Sequence, residues 1–209
     1  DLRSIGFTME QIREYLEHHT VSSSLSMLED EKEAITKQMQ HLQKLQKNVE
    51  HRLNTIHSAF SLPLDEIHLM TLPPRHCHRL FERYKHEEEM DFLMKQLINL
   101  NQNRLYIIGS NQMGTMISLP SLLKKKTLSY QSVFLIDEEG ADLIDGGDYL
   151  CVTYRGNYEQ SAYWGQQLAQ YAHAHKFKIR GDLLEILWID IHTTSDESEY
   201  ITQLQLPIA

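Results

Sequence analysis

Leu183-Leu184-Glu185-Ile186-Leu187-Trp188-Ile189-Asp190, LLEILWID, reads as a buried strand with one carboxylate in its middle. Successive strand residues point to opposite faces, so Leu183, Glu185, Leu187 and Ile189 share one face and Leu184, Ile186 and Trp188 the other. An ionised carboxylate among aliphatic side chains is costly unless a partner or a proton compensates it. Glu185 therefore needs an internal base such as Arg155 or Arg180, a route to solvent, or a charge brought from outside.

Sheet extends to both sides of this strand. Tyr200–Pro207 follows it. Asp148–Arg155 (DYLCVTYR) precedes it, separated by a helix that Asn157 would cap, with Gln160 at its third position and Trp164, Leu168, Tyr171 and Ala172 as its apolar stripe. An earlier set runs in the same order. Glu66–Leu72 (EIHLMTL) alternates as a strand does, residues 87–101 are helical with Met90, Leu93, Met94 and Leu97 on one face, and Leu105–Ser110, Gly114–Pro120 and Tyr130–Asp137 read as strands. Strand, helix, strand, strand thus occurs twice, with one strand more in the earlier set, each time over roughly seventy residues. Two such halves make an α+β domain over residues 63–209 with a cleft between them, a natural place for a ligand.

Upstream the pattern changes to a heptad. Leu28, Ile35, Leu42, Val49 and Ile56 recur every seven residues, and Leu25, Lys32, Met39, Gln46, Leu53 and Phe60 form the companion series. With no Gly or Pro inside and Pro63 just beyond, residues 21–62 read as a coiled-coil helix starting near Ser22-Ser23-Ser24, whose narrow seam a second copy would cover. Residues 1–20 hold a short amphipathic helix. Thr8 and Gln11 form a capping box, Phe7 and Ile12 a hydrophobic staple, and Ile12, Tyr15 and Leu16 the apolar stripe.

The 209 residues carry a net charge of -9, which disfavours a nucleic-acid surface on this part of the protein. No apolar run is long enough to span a membrane, and two cysteines make no disulfide framework, so a reducing cytoplasm is expected. No cofactor or metal is expected. His76, Cys77 and His78 could begin a metal site, but a strand would aim Cys77 away from the two histidines. His18, His19, His173 and His175 suit helix ends, and Lys124-Lys125-Lys126 suits a solvated turn. The acid-rich run from Asp137 through Asp142, Asp145 and Asp148 lacks EF-hand spacing and reads as the loop joining the halves.

The opening LRSIGFTMEQIREYL (2–16) resembles the segment that follows the winged helix-turn-helix of MerR-type transcription regulators. GNYEQSAYWGQQLAQY (156–171), GDLLEILWID (181–190) and SDESEYITQLQLPI (195–208) are similar to the GyrI-like effector domain of the multidrug-sensing branch. The resemblance implies a homodimer that binds promoter DNA through a head preceding Asp1, and a pocket for lipophilic cationic molecules. It places Glu185 at the acidic position and Tyr200 at a pocket tyrosine. Leu187, on the Glu185 face, and Tyr106, Tyr154, Tyr158 and Tyr163, on elements expected to line the cleft, complete the candidate set. Tyrosine hydroxyls would hold the carboxylate, and aromatic faces would stack on a delocalised cation. Some GyrI-like domains hydrolyse small electrophiles, so the alternative is a hydrolase using Glu185 as its base. The dimerising heptad favours the sensor over the enzyme.

Overall fold

The computed structural model describes residues 8–18, 20–84, 87–100, 112–123 and 128–209. The strand expected at 105–110, Tyr106 within it, Gly109 to Asn111 and the lysine run at 124–126 lie outside the described residues.

The chain divides into two compact units, one up to Glu50 and one from His51 to Ala209. In the first, helix α1 (Met9–His18) starts immediately after Thr8, whose carbonyl accepts from the Ile12 N–H at 3.1 Å. The side chain of Gln11, the other half of the expected capping box, lies outside the described residues. Helix α2 (Val21–Phe60) is a single helix of 40 residues. Its cap is Thr20, not the serine triplet. Ser23 N–H donates to Thr20 Oγ1 at 3.1 Å and Thr20 N–H donates to Ser23 Oγ at 2.7 Å, a reciprocal box that satisfies two orphan donors. Leu25, Leu28, Ile35, Met39, Leu42 and Val49 are exposed along the heptad seam.

The second unit holds the last turns of α2 and an eight-stranded antiparallel sheet in the order β1-β6-β8-β7-β3-β4-β2-β5. The strands are β1 (His68–Leu72), β2 (Arg75–Leu80), β3 (Met113–Ile117), β4 (Tyr130–Ile136), β5 (Asp142–Ile144), β6 (Gly147–Arg155), β7 (Leu183–Ile189) and β8 (Ile201–Pro207). Helices α3 (Glu87–Leu100), α4 (Leu119–Leu123) and α5 (Gln160–Ala174) accompany them. The twofold repeat is present, with one reassignment. Its halves are β2-α3-β3-β4 and β6-α5-β7-β8, and their strands meet symmetrically at the β7–β3 junction as β6-β8-β7 and β3-β4-β2. The first strand of the first half is therefore Arg75–Leu80. The alternating EIHLMTL stretch contributes the extra edge strand β1, paired with β6. The acid-rich run is not all loop, since Asp142 opens β5 and pairs with Cys77.

The sheet curls. Arg75 on β2 donates from Nη2 to Gln205 Oε1 on β8 at 2.8 Å, although three strands separate them in the sheet order. Inside the curl pack Cys77, Phe134, Ile144, Tyr149, Cys151, Leu184 and Ile186. On the other face Leu183, Leu204 and Leu206 meet Leu93, Met94 and Leu97 of α3 and Leu168 and Ala172 of α5. Each such fully buried aliphatic side chain stabilises the fold by about 1.5–3 kcal/mol before entropy is charged against it.

Helix α5 lies close to β7 because its inner stripe is small. Ser161, Gly165, Leu168 and Ala172 recur at helical spacing and are buried. A Cβ on Gly165 would stand 2.7 Å from a Leu122 methyl and 2.9 Å from a Leu183 methyl, so even an alanine there would require those side chains to shift. The helix starts at Gln160, three residues past the expected cap. Glu159 is its N-cap and makes no side-chain capping bond, while Asn157 lies in the preceding turn.

Candidate functional site

Glu185 occupies the middle of β7, opposite Thr115 on β3 and Leu204 on β8. It is 1% exposed. Cross-strand pairing with Thr115 brings that hydroxyl within reach, and Thr115 Oγ1 donates to Glu185 Oε2 at 2.9 Å. The close approach of α5 brings Ser161, whose Oγ donates to Glu185 Oε1. Ser161 has one proton, so Tyr154 Oη, 2.6 Å away, is the donor to Ser161 Oγ. Hydroxyls from β3 and α5 thus hold the carboxylate, and a third from β6 stands behind Ser161. Burial first, and the Glu185 charge second, push the Tyr84 phenol well above its ordinary value. Neither expected base is the partner. Arg155 donates from Nε to the Ser198 carbonyl at 3.0 Å, and Arg180 lies against Gly147.

Next to this cluster is a cavity of about 270 Å³. Met90 and Met94 of α3 and Met113 of β3 line it, facing Tyr158, Leu187 and Tyr200. The Tyr158 and Tyr200 rings stack with centroids 5.4 Å apart and planes 28° apart. Asp190, His192 and Glu197 add polar groups, and among the described residues no Lys or Arg lines the space. The Tyr158 hydroxyl is buried and has no hydrogen-bond partner among the described residues. Its phenol is held far above the ordinary range by burial, then by the charges of Asp190 and Glu185. One hydroxyl therefore feels both carboxylates.

Asp190 reaches the cavity through a bulge. The β7–β8 register runs evenly to Leu187↔Thr202 and then shifts, so that Ile189 faces Ile201. The extra residue at Trp188 moves Ile189 off the Glu185 face, where strict alternation puts it, into a cluster with Ala59 and Ile201. Asp190, which alternation would aim into the curl, instead lines the cavity beside Leu187.

No family model matches the chain and no curated protein matches it. Solved structures do. A cryo-electron microscopy structure of an EcmrR–DNA complex in EcmrR-RPo matches at a TM-score of 0.54 and 15% identity, covering 99% of this chain and 79% of that one. The crystal structure of the EcmrR C-terminal domain matches at 0.53 and 14% identity, covering 69% and 97%. The fold is α+β, like that of the EcmrR C-terminal domain. SAV2435 bound to tetraphenylphosphonium aligns at 0.45 and 15% identity, over 69% of this chain and 94% of that one.

Of the seven residues expected at the site, Leu187, Tyr158 and Tyr200 line the cavity. Glu185 and Tyr154 sit behind its wall in the hydroxyl cluster. Tyr163 is 58% exposed on the outer side of α5, edge-on to Trp164, because the Ser161–Gly165–Leu168 stripe claims the inner side. Tyr106 lies outside the described residues. Sequence reasoning missed Met113, Asn157, Asp190, Ile191, His192 and Glu197, and read Met90 and Met94 only as a helix face. The one available signal for Asp190 was an acid ending an otherwise apolar strand. His76 Nδ1 bonds the Gly140 carbonyl, His78 faces Asp137 at 3.4 Å, Cys77 is buried inside the curl, and among the described residues no three metal-ligating side chains converge.

Proposed function

We propose that this chain is the ligand-sensing and dimerising part of a MerR-type transcription regulator, and that its cavity binds lipophilic cationic small molecules. The cavity carries the reading: a methionine wall, a stacked tyrosine pair and acids, with no lining Lys or Arg among the described residues, suit a flat apolar cation. Glu185 contributes negative charge from behind the wall, held by the Thr115 and Ser161 hydroxyls. The exposed apolar seam of α2 supports pairing with a second copy. Likeness of fold to a protein solved in complex with DNA supports promoter binding through a head ahead of this chain. A ligand can shift such a regulator only by binding its two states with different affinity. The domain binds without turnover, so no cofactor or catalytic residue is assigned.

Calorimetric titration with a lipophilic monocation tests the reading, and saturable binding is expected. Glu185→Gln removes the charge and keeps the shape, and it weakens the cation by tenfold or more, about 1.4 kcal/mol. Unchanged affinity would take Glu185 out of the site. No saturable binding by the unsubstituted chain would sink the sensor.

A further inference from the structure

Asp190 is 6% exposed, lines the cavity, and is aimed there by the β7 bulge. Its Oδ1 accepts from the His192 N–H at 3.1 Å, which fixes the turn. Four groups surround it. His192 is on the same turn, and Tyr158, with its unpartnered buried hydroxyl, comes from the β6–α5 loop. Glu197 stands across the cavity, and Arg52 comes from the last turns of α2. The Arg52 guanidinium does not bond the carboxylate. Its Nη2 donates to the His192 carbonyl at 3.1 Å, and its charge acts on Asp190 from there. Beside it Ala59 packs on Ile189 and Ile201, so the end of α2 rests on the turn that carries Asp190.

The cavity therefore has two carboxylates of different standing. Hydroxyls already compensate Glu185. Asp190 borders open space and has only partial compensation, from the His192 imidazole, backbone donors and a guanidinium bonded elsewhere. We infer that Asp190 is the specificity-determining carboxylate of the cavity, taking up the positive charge of a bound organic cation in competition with Arg52 of α2. The inference rests on the ligand-sensing reading and deepens it. A cation that compensates Asp190 weakens the hold of Arg52 on the same carboxylate, so occupancy is felt at the end of α2. An uncharged molecule of the same shape fills the cavity without that effect.

The test uses N-methylacridinium and acridine, one ring system with and without a charge at mildly alkaline pH. Each is titrated into the full chain and into the Asp190→Asn, Arg52→Gln and Glu185→Gln variants, with melting curves as a check of folding. Asn keeps an Oδ1 for the His192 N–H, so the turn is retained. Asp190→Asn is expected to weaken the cation by tenfold or more, about 1.4 kcal/mol, and acridine by less than about twofold. Arg52→Gln changes no lining side chain, although Arg52 bonds the backbone of His192, and is expected to tighten the cation about threefold or more by removing its competitor. Equal loss of both probes in Asp190→Asn overturns the inference, because shape rather than charge was lost. Unchanged cation affinity in Arg52→Gln overturns the competition, and decides alone if Asp190→Asn fails to fold. Cation binding that survives Asp190→Asn and Arg52→Gln unaltered but is lost in Glu185→Gln overturns the inference and leaves the sensor standing. If neither probe binds the unsubstituted chain, the sensor falls and the inference with it.

Discussion

The middle and the end of β7 each bury a carboxylate, and the two are solved differently. Glu185 stands in regular sheet, where the strand opposite and the helix above deliver hydroxyls from Thr115 and Ser161. Asp190 stands just past a bulge, where the ladder ends and the side chain turns toward open space. Regular structure can satisfy a buried charge because neighbours are held at fixed spacing. Broken structure leaves part of that task to something else. The contrast separates a carboxylate held by hydroxyls of its own sheet and helix from one that borders open space.

The sharpest way to break the contrast is at Ser161. Ser161→Ala removes a donor from Glu185 and the acceptor of the fully buried Tyr154 hydroxyl. Loss of such bonds to a buried charge costs about 2–3 kcal/mol. Urea unfolding should show that loss in the midpoint, and Ser161→Ala combined with Glu185→Leu should recover part of it. A Ser161→Ala midpoint within error of the unsubstituted chain would mean that the hydroxyl cluster does not stabilise the fold.

Asp190 should behave in the opposite sense. Burial raises its carboxyl above the ordinary range, against the lowering effects of His192 and Arg52. The folded state then holds the proton more tightly than the unfolded chain does. Stability is fully present below the ordinary aspartate pKa, declines as pH rises through the raised value, and levels off above it. Asp190→Asn removes that decline, so the variant should gain on the unsubstituted chain as pH rises through this window. A lipophilic cation should produce the same gain without mutation. Melting profiles of the two proteins that run parallel in pH would show that Asp190 titrates as an ordinary surface acid.

Much of this was legible in the sequence, and the gaps have physical causes. Alternation along LLEILWID correctly set Leu183, Glu185 and Leu187 against Leu184 and Ile186, because β7 is central and its faces are enforced by cores on both sides. It failed at Ile189, since a bulge is a backbone event chosen by packing across strands and leaves no period in the sequence. The hydroxyl partners of Glu185 were missed for a related reason. Thr115 and Ser161 lie 70 and 24 residues away and meet it only through strand register and helix height. The β2 strand was obscured because RHCHRL does not alternate: four of its six residues are polar, Cys77 and Leu80 are three apart, and Arg75 reaches across the curl to Gln205.

The smallest expected effect lies at Tyr163 and sharpens the comparison on the helix side. Tyr158 and Tyr163 are five residues apart and both were expected to line the cleft. Tyr158 lies in the turn before α5, stacks on Tyr200 and buries its hydroxyl against the cavity. Tyr163 sits three residues into α5 on the solvent side, where it meets Trp164 edge-on with ring centroids 5.1 Å apart. An exposed edge-to-face pair contributes about 0.5 kcal/mol or less once both rings stay wet. Tyr163→Ala should therefore shift the urea midpoint barely and change the affinity for a lipophilic cation by less than about twofold. Tyr158→Ala, read in the same titration, should cost far more, because it removes half of the stacked wall. Equal losses from the two would mean that the ligand reaches around α5, and that the cavity between methionines and tyrosines is not where it binds.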